Sequence, residues 1–232
     1  MMDIEERDYR QLRKLGQKLH IPIPEAFLEL EVRDQDGRVI QRHKQRSHSW
    51  VRNAYNAMFI NLAGKDPDDV TFGAGLLSMK DTGGVIVSVS APLFYASSTS
   101  LDGTGQGYRA PAGDDDRGIV VGSGVAAESF EDYALETKIA NGTAAGQLSY
   151  VESAAHSITW IGGSLTLKNA LIRYFNNNSG ASVEVNEVGL IVFSYYSVQE
   201  YLVSRDKLAS PVTIPNTGQL KVTYTVQLTY PA

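Results

Sequence analysis

Cysteine is absent from all 232 residues, which excludes disulfide staples, thiolate metal sites and cysteine nucleophiles together. Long apolar runs are missing as well. None approaches the ~20 residues that a membrane helix needs, so no membrane partner is expected. Met1, Met2, Asp3, Ile4, Glu5 and Glu6 supply no apolar core of a secretory leader, so export by a cleaved leader is not expected either. A strong excess of one charge is also lacking. The 21 Lys/Arg against 26 Asp/Glu leave −5, which gives no general affinity for nucleic acid. The charge is unevenly spread, however. Residues 1–52 hold 11 Lys/Arg and 9 Asp/Glu, a balance of +2, while the remainder holds 10 and 17, a balance of −7.

What is present points to strands. Gly (21), Tyr (12) and short Val/Thr/Ile runs favour sheets and turns, and the 43% hydrophobic content suits one sizeable β-rich domain or two small ones. Residues 3–19 predict a short charged helix with Leu12, Leu15 and Leu19 as a narrow apolar stripe, ended by Pro22 and Pro24. That stripe is too short to stand alone in water and is expected to dock on this domain or on a neighbouring subunit. The expected organisation is a helical arm over 1–23 and a β-sandwich body over 24–232.

Phe27, Leu28, Leu30 and Val32 lead into Asp34-Gln35-Asp36-Gly37, and Val39-Ile40 leads out, a hairpin signal. Ser49–Leu62 predicts the one interior helix. Trp50, Val51, Ala54, Ala57, Met58 and Leu62 are placed on its apolar face, with Ser47 or Ser49 as cap and Gly64 just past its end. From Val70 a period of two takes over, including Val85, Val87 and Val89 after Gly83-Gly84. Strands are expected near 119–124, 147–152, 157–161, 164–176, 182–195 and 219–230. In the last, Leu220, Val222, Tyr224, Val226, Leu228 and Tyr230 face one way, and Lys221, Thr223, Thr225, Gln227 and Thr229 the other. Asn176-Asn177-Asn178-Ser179-Gly180 predicts a polar loop between its two flanking strands. The pattern is that of an antiparallel β-sandwich or jelly roll.

Few residues suggest chemistry. Gly103, Gly105 and Gly107 lie in a Gly/Asp-rich loop over 101–118, but Pro111 and Gly113 follow where a nucleotide-binding helix would start. Asp114-Asp115-Asp116 has carboxylates for a cation without the alternating spacing of a calcium loop. His20, His43, His48 and His156 form no zinc-like pair, and there is no Gly-x-Ser-x-Gly elbow. A hydrolase acting on cell-wall sugars would need two carboxylates across a cleft, and spacing selects none. No catalytic residue, cofactor or metal site is therefore expected. The basic run Arg38, Arg42, Lys44, Arg46 and Arg52 is the most suggestive feature. Arg42, Lys44 and Arg46 would share a strand face, either as a solvated edge or against acidic groups of a neighbour. Leu12, Leu15, Leu19, Arg38, Arg42, Lys44 and Arg46 are thus the candidate partner-binding residues. Trp50, Trp160, Phe175, Phe193, Tyr195 and Tyr196 are expected in the core first, or as a glycan platform if exposed side by side.

Gly118-Ile119-Val120-Val121-Gly122-Ser123-Gly124 with Phe130-Glu131-Asp132-Tyr133-Ala134-Leu135 resembles a segment of structural proteins of tailed bacteriophages. So do Val185-Asn186-Glu187-Val188-Gly189-Leu190-Ile191 with Leu202-Val203-Ser204-Arg205-Asp206, and the closing alternating strand. The resemblance is a pattern of strands and turns over about 118–230. It implies a non-enzymatic virion component, such as a head decoration, neck or tail protein. Such a protein would be oligomeric, assembled in the host cytoplasm and bound to other capsid, neck or tail subunits. A receptor- or glycan-binding module of a tail or fibre is the alternative. Within this reading Gly122 and Gly124 would allow tight turns, and Asn186, Glu187 and Arg205-Asp206 would tie neighbouring loops.

Overall fold

The computed structural model describes residues 4–63, 78–87, 104, 105, 107–194 and 198–231, with backbone alone for 4, 5 and 63. The alternation expected from Val70 up to residue 77, and Gly64, Val89, Gly103, Tyr195 and Tyr196, lie outside the described residues.

Helix α1 (Ile4–Leu19) runs into β1 (Ile23–Arg33), which turns back as β2 (Val39–Ser47). The helix stops before either proline. His20 takes φ 56°, its N–H donates to Gln17 O and that of Ile21 to Gly16 O at 2.8 Å, a Schellman closure. Pro24 instead opens β1. The β1–β2 turn is as predicted: Asp34 accepts from the N–H groups of Asp36 and Arg38, and Gly37 adopts φ 77°.

Helix α2 (Arg52–Ala63) follows, and then the small hairpin β3 (Met79–Lys80) and β4 (Ile86–Val87). The buried side of α2 matches the predicted one at Ala54 and Ala57, with Val51 just before the helix, and departs from it elsewhere. Asn53, Ala54, Asn56, Ala57 and Ile60 turn inward, while Leu62 is 89% exposed. The reason is polar. The Asn53 amide donates to Lys80 O and Leu202 O and accepts from Lys80 N, and Asn56 donates to Ser78 O. Asparagine can face a core when backbone groups wait there. Ser47 does not cap this helix, because its hydroxyl is bonded elsewhere in the core.

The remaining strands are β5 (Gly118–Gly122), β6 (Ser149–Tyr150), β7 (Ser157–Ile161), β8 (Thr166–Asn176), β9 (Val183–Ser194), β10 (Gln199–Ile214) and β11 (Gln219–Thr229). They form an antiparallel β-sandwich. One sheet runs β2-β1-β11-β8, with β6 and β7 sharing the outer edge of β8, and the other runs β10-β9-β5. The alternation decides what faces inward. Ala26, Leu28, Leu30 and Val32 of β1, Leu171 and Phe175 of β8, and Leu220, Val222 and Tyr224 of β11 meet Val188, Leu190, Tyr201 and Leu202 of the second sheet. The strand expected over 147–152 shrinks to two residues. The 16-residue β10 was not anticipated, because Tyr201 to Asp206 are all buried and show no period of two.

Asn177 pins two turns together. Its amide donates to Ala181 O and Ile214 O, joining the β8–β9 loop to the end of β10. On the other flank, β2 and β10 are the free edges of the two sheets and are stitched by side chains. Gln45 donates to Lys207 O and accepts from Ala209 N, and Gln41 donates to Pro211 O and accepts from Thr213 N. Each carboxamide thus copies a strand's peptide group, and the exposed edge of β10 is closed without another strand.

Replacing both Gln41 and Gln45 by Ala should lower unfolding stability by about 2 kcal/mol, from four bonds worth ~0.5–1.5 kcal/mol each in part compensated by water. It should also promote concentration-dependent self-association through the opened edge. Urea unfolding and light scattering measure the two effects, and a variant unchanged in both would refute the sealing role.

Candidate functional site

The arm is held by charge, not by its leucines. Glu25, buried on β1, accepts from Arg13 of α1 at 2.6 Å, from Arg46 of β2 at 2.7 Å and from Gln227 of β11 at 2.9 Å. Glu6 of α1 closes the ring, accepting from Arg13 at 2.9 Å and from Arg46. Arg46 also lies 3.9 Å from the Tyr9 ring centre and 4.7 Å from that of Phe27. Hydrogen bonds from Arg46 and Arg13 hold the Glu6 carboxyl below its usual range. Gly16 is buried on β1, where an added Cβ would stand 2.7 Å from Ile23 Cγ1. Leu12, Leu15 and Leu19 are 43%, 51% and 54% exposed, so on this chain the predicted stripe is left uncovered.

The basic stripe is matched from within. Arg42, Lys44 and Arg46 do share the outer face of β2, but β1 sets acids beside them. Lys44 is directly opposite Glu29 and bonded to it, and Arg42 is opposite Glu31 at 3.2 Å. Arg38 stands by Asp36 at 3.8 Å, and Arg52 pairs with Glu131.

The segments singled out by the resemblance meet in space. Glu187 on β9 is fully buried and accepts from the backbone N–H groups of Gly124, Glu136 and Thr137. Arg205 on β10 donates to Glu187 at 2.7 Å, to Asp132 at 2.9 Å, and to the carbonyls of Ala126 and Ala127. Asn186 adds a bond to Ser123 O. These side chains hold the 123–137 loop on the second sheet, as the sequence suggested. The glycines serve a different purpose from the one expected. A Cβ at Gly122 or Gly124 would stand 2.5 Å from Glu187 Oε1, so both are needed for close approach rather than for turning.

Arg173 was missed altogether. It occupies the inward register between Leu171 and Phe175, which is the signal that would have found it. Its five donors go to the carbonyls of Pro111, Asp114, Arg117, Ile119 and Val151, and it packs 4.8 Å from the Tyr150 ring centre. Burial pulls its pKa down to about 10, leaving it cationic at neutral pH. It anchors the Asp-rich loop, whose carboxylates have internal partners. Asp115 and Asp116 hold Lys138 at 2.9 and 2.6 Å, and Asp114 holds Arg117 at 2.8 Å. No group of three or more His/Cys/Asp/Glu that could hold a metal occurs among the described residues. Gly105 and Gly107 take positive φ in this loop without a helix after them.

Asp206 forms a second buried cluster, between β2 and β10. It accepts from Ser204 at 2.7 Å, Ser47 at 2.8 Å and His48 N at 3.2 Å, and Ser47 reaches the Tyr224 hydroxyl at 2.6 Å. Burial outweighs the two hydroxyl bonds and pushes its pKa up to about 6. His48 stands 3.6 Å from Glu128, His43 bonds Gln45 on the inner side of β2, and His156 lies just before β7 rather than in a strand.

Phe175 is in the core as expected, and Trp50 and Phe193 are half-buried. Trp160 is not in the core. It is 50% exposed, with the 38% exposed Tyr230 beside it at 5.5 Å between ring centres. It falls on β7, whose five residues are all exposed.

An acid whose folded pKa is raised binds its proton more tightly when folded, so its penalty is absent below its unfolded value near 4 and grows as pH rises through 6. Relative to the parent chain, Asp206→Asn should gain on the order of 3 kcal/mol of stability between pH 4 and pH 8, measured by urea unfolding. A difference that does not change with pH would overturn this. Arg205→Met should cost about 3–5 kcal/mol, because Glu187 is left buried without a countercharge. Compared with known proteins, the chain matches no family model, no curated protein and no solved structure.

Proposed function

We propose that this chain is a non-enzymatic structural component of a tailed-bacteriophage virion, capsid-associated or in the neck or tail, acting through protein–protein contacts. The observation that carries this reading is the arm. A charged helix is clamped to the body by the Glu6–Arg13–Glu25–Arg46 ring while Leu12, Leu15 and Leu19 point outward in a row. A rigidly mounted apolar stripe suits a contact with a neighbouring subunit, since an isolated patch of this kind gains most from being covered. The resemblance lends support. Its stretches at 118–124, 130–135, 185–191 and 202–206 are far apart in sequence yet form one layer around Glu187 and Arg205. The absence of catalysis is part of the proposal. It is favoured by the way Glu187, Arg173 and Asp206 have backbone groups and neighbouring side chains as partners and face no common cleft.

A second reading, a receptor- or glycan-binding module, is favoured by the exposed Trp160–Tyr230 pair, since adjacent rings offer a stacking platform for a sugar.

Glu25→Ala should loosen the arm, since Arg13 loses its acceptor on the body and only the Glu6–Arg46 pair of the ring still joins helix to sheet. Trypsin should then cleave at Lys14 or Lys18 at least about tenfold faster, the equivalent of 1.4 kcal/mol. Changing Leu12, Leu15 and Leu19 together to Asp should leave the fold intact by circular dichroism and abolish incorporation into particles. Undiminished incorporation would reject the arm as the attachment element. Binding of the intact chain to a glycan array, lost in Trp160→Ala, would instead favour the second reading.

A further inference from the structure

A cleft of about 360 Å³ lies between α1 and the outer face of the first sheet. It falls in the ~300–1,000 Å³ range of small-ligand sites. From the helix come Arg10, Arg13, Lys14 and Gln17, and from the sheet and the turn before β8 come Ser164, Thr166, Lys168, Gln227 and Thr229. Arg13 is committed to Glu6 and Glu25. Arg10, Lys14 and Lys168 have no acidic partner among the described residues, in a chain where the cations of β2 are matched one by one. No acidic side chain lines the cleft, so an external oxyanion would meet cations alone there.

We propose that this cleft binds an acidic saccharide, a short sugar chain bearing carboxylate or sulfate groups. This is independent of the virion reading and gives the glycan-binding reading a site other than the Trp160–Tyr230 pair, so loss of binding in Lys168→Gln or in Trp160→Ala tells the two apart. The charge selects the oxyanions, through charge-assisted bonds from Arg10, Lys14 and Lys168. The neutral lining selects the sugar. Ser164, Thr166 and Thr229 bond among themselves and Gln227 donates to Glu25, so their spare lone pairs and the amide of Gln17 face a ligand dense in hydroxyls, and Ile161 is the one apolar residue in the wall. An acidic peptide would find only Ile161 as a hydrophobic side chain to pack on there. Single-stranded nucleic acid would find no aromatic ring in the lining on which to stack a base. The charge ring behind the cleft keeps the helix wall in place, so the backbone that carries Arg10 and Lys14 is set before the ligand arrives.

The test is calorimetry on the full chain at low salt with four probes: an oligogalacturonate, a heparin-derived oligosaccharide, a neutral malto-oligosaccharide of equal length, and octa-glutamate, with single-stranded oligothymidylate as a fifth. The expected result is binding of one or both acidic saccharides, none of the neutral one, and weakening as salt screens the cations. Lys168→Gln and Lys14→Gln should each weaken binding about fivefold, and the control Arg38→Gln, on the far β1–β2 turn, should not. All three side chains are partly or fully at the surface, so folding is unaffected, and melting curves check this. No binding of either acidic saccharide would overturn the proposal. So would equal weakening by Arg38→Gln, which would mark a diffuse field, or tighter binding of octa-glutamate or the oligonucleotide, which would reassign the cleft.

Discussion

An ionised group taken out of water must find a partner for every bond it gives up, and this fold is arranged around three that do. Arg173 satisfies five donors on five carbonyls, Glu187 collects three backbone N–H groups and one guanidinium, and Glu25 collects two guanidiniums and an amide. In each case some of the partners come from a segment with little apolar content of its own. The Gly/Asp-rich loop, the 123–137 cover and the arm lack the alternating apolar residues that place a strand, so desolvation of a neighbouring charge places them instead. Breaking one such set leaves an uncompensated charge, so the loops and the sheets beneath them are expected to unfold as units rather than to fray singly.

Where hydrophobic alternation governs, the sequence was legible. The closing strand Gln219–Thr229, the strands Val183–Ser194 and Thr166–Asn176 and the hairpin around Gly37 were found within a residue or two, because one wet and one buried face leaves a period of two. It failed where polar residues face inward. Strand Gln199–Ile214 was passed over because Ser204, Arg205 and Asp206 sit in the middle of it, and three consecutive polar residues suggest a connection. Their burial depends on Ser47, Glu187 and the 123–137 loop, none of them near in the chain. Helix Arg52–Ala63 was found with Ala54 and Ala57 correctly inward, but its apolar pattern gave no sign that Asn53 and Asn56 share the buried side. Arg173 could have been placed from its register between Leu171 and Phe175, and Trp160 was put in the core on residue type alone.

The candidate site was legible in part for the same reason. Composition marked the first 52 residues as charge-dense, and spacing put Arg42, Lys44 and Arg46 on one face. Neither could show that Glu29 and Glu31 lie opposite Lys44 and Arg42 on the adjacent strand, with Glu25 diagonal to Arg46, because that pairing is a property of the hairpin. The stripe therefore looked like an open basic surface, whereas much of its charge is neutralised across the sheet. The unmatched cations that line the cleft, Arg10, Lys14 and Lys168, come from the helix and from a strand some 150 positions away, and no local pattern links them.

The arm shows how the two kinds of force divide the work. If its leucines had been the anchor, the helix would have rolled to bury them and turned its arginines to water, as an amphipathic helix on a sheet ordinarily does. The ionic ring prevents that roll. Arg46 is gripped by Glu6, Glu25 and the Tyr9 ring together, so rotating α1 to bury Leu12 and Leu15 would break a charged network to gain a narrow apolar contact. The same clamp opens the cationic cleft on one flank and displays the leucines on another. Acid or high salt, which weaken the ring, should loosen both faces at once, because Glu6 loses its negative charge as pH falls below its depressed folded value.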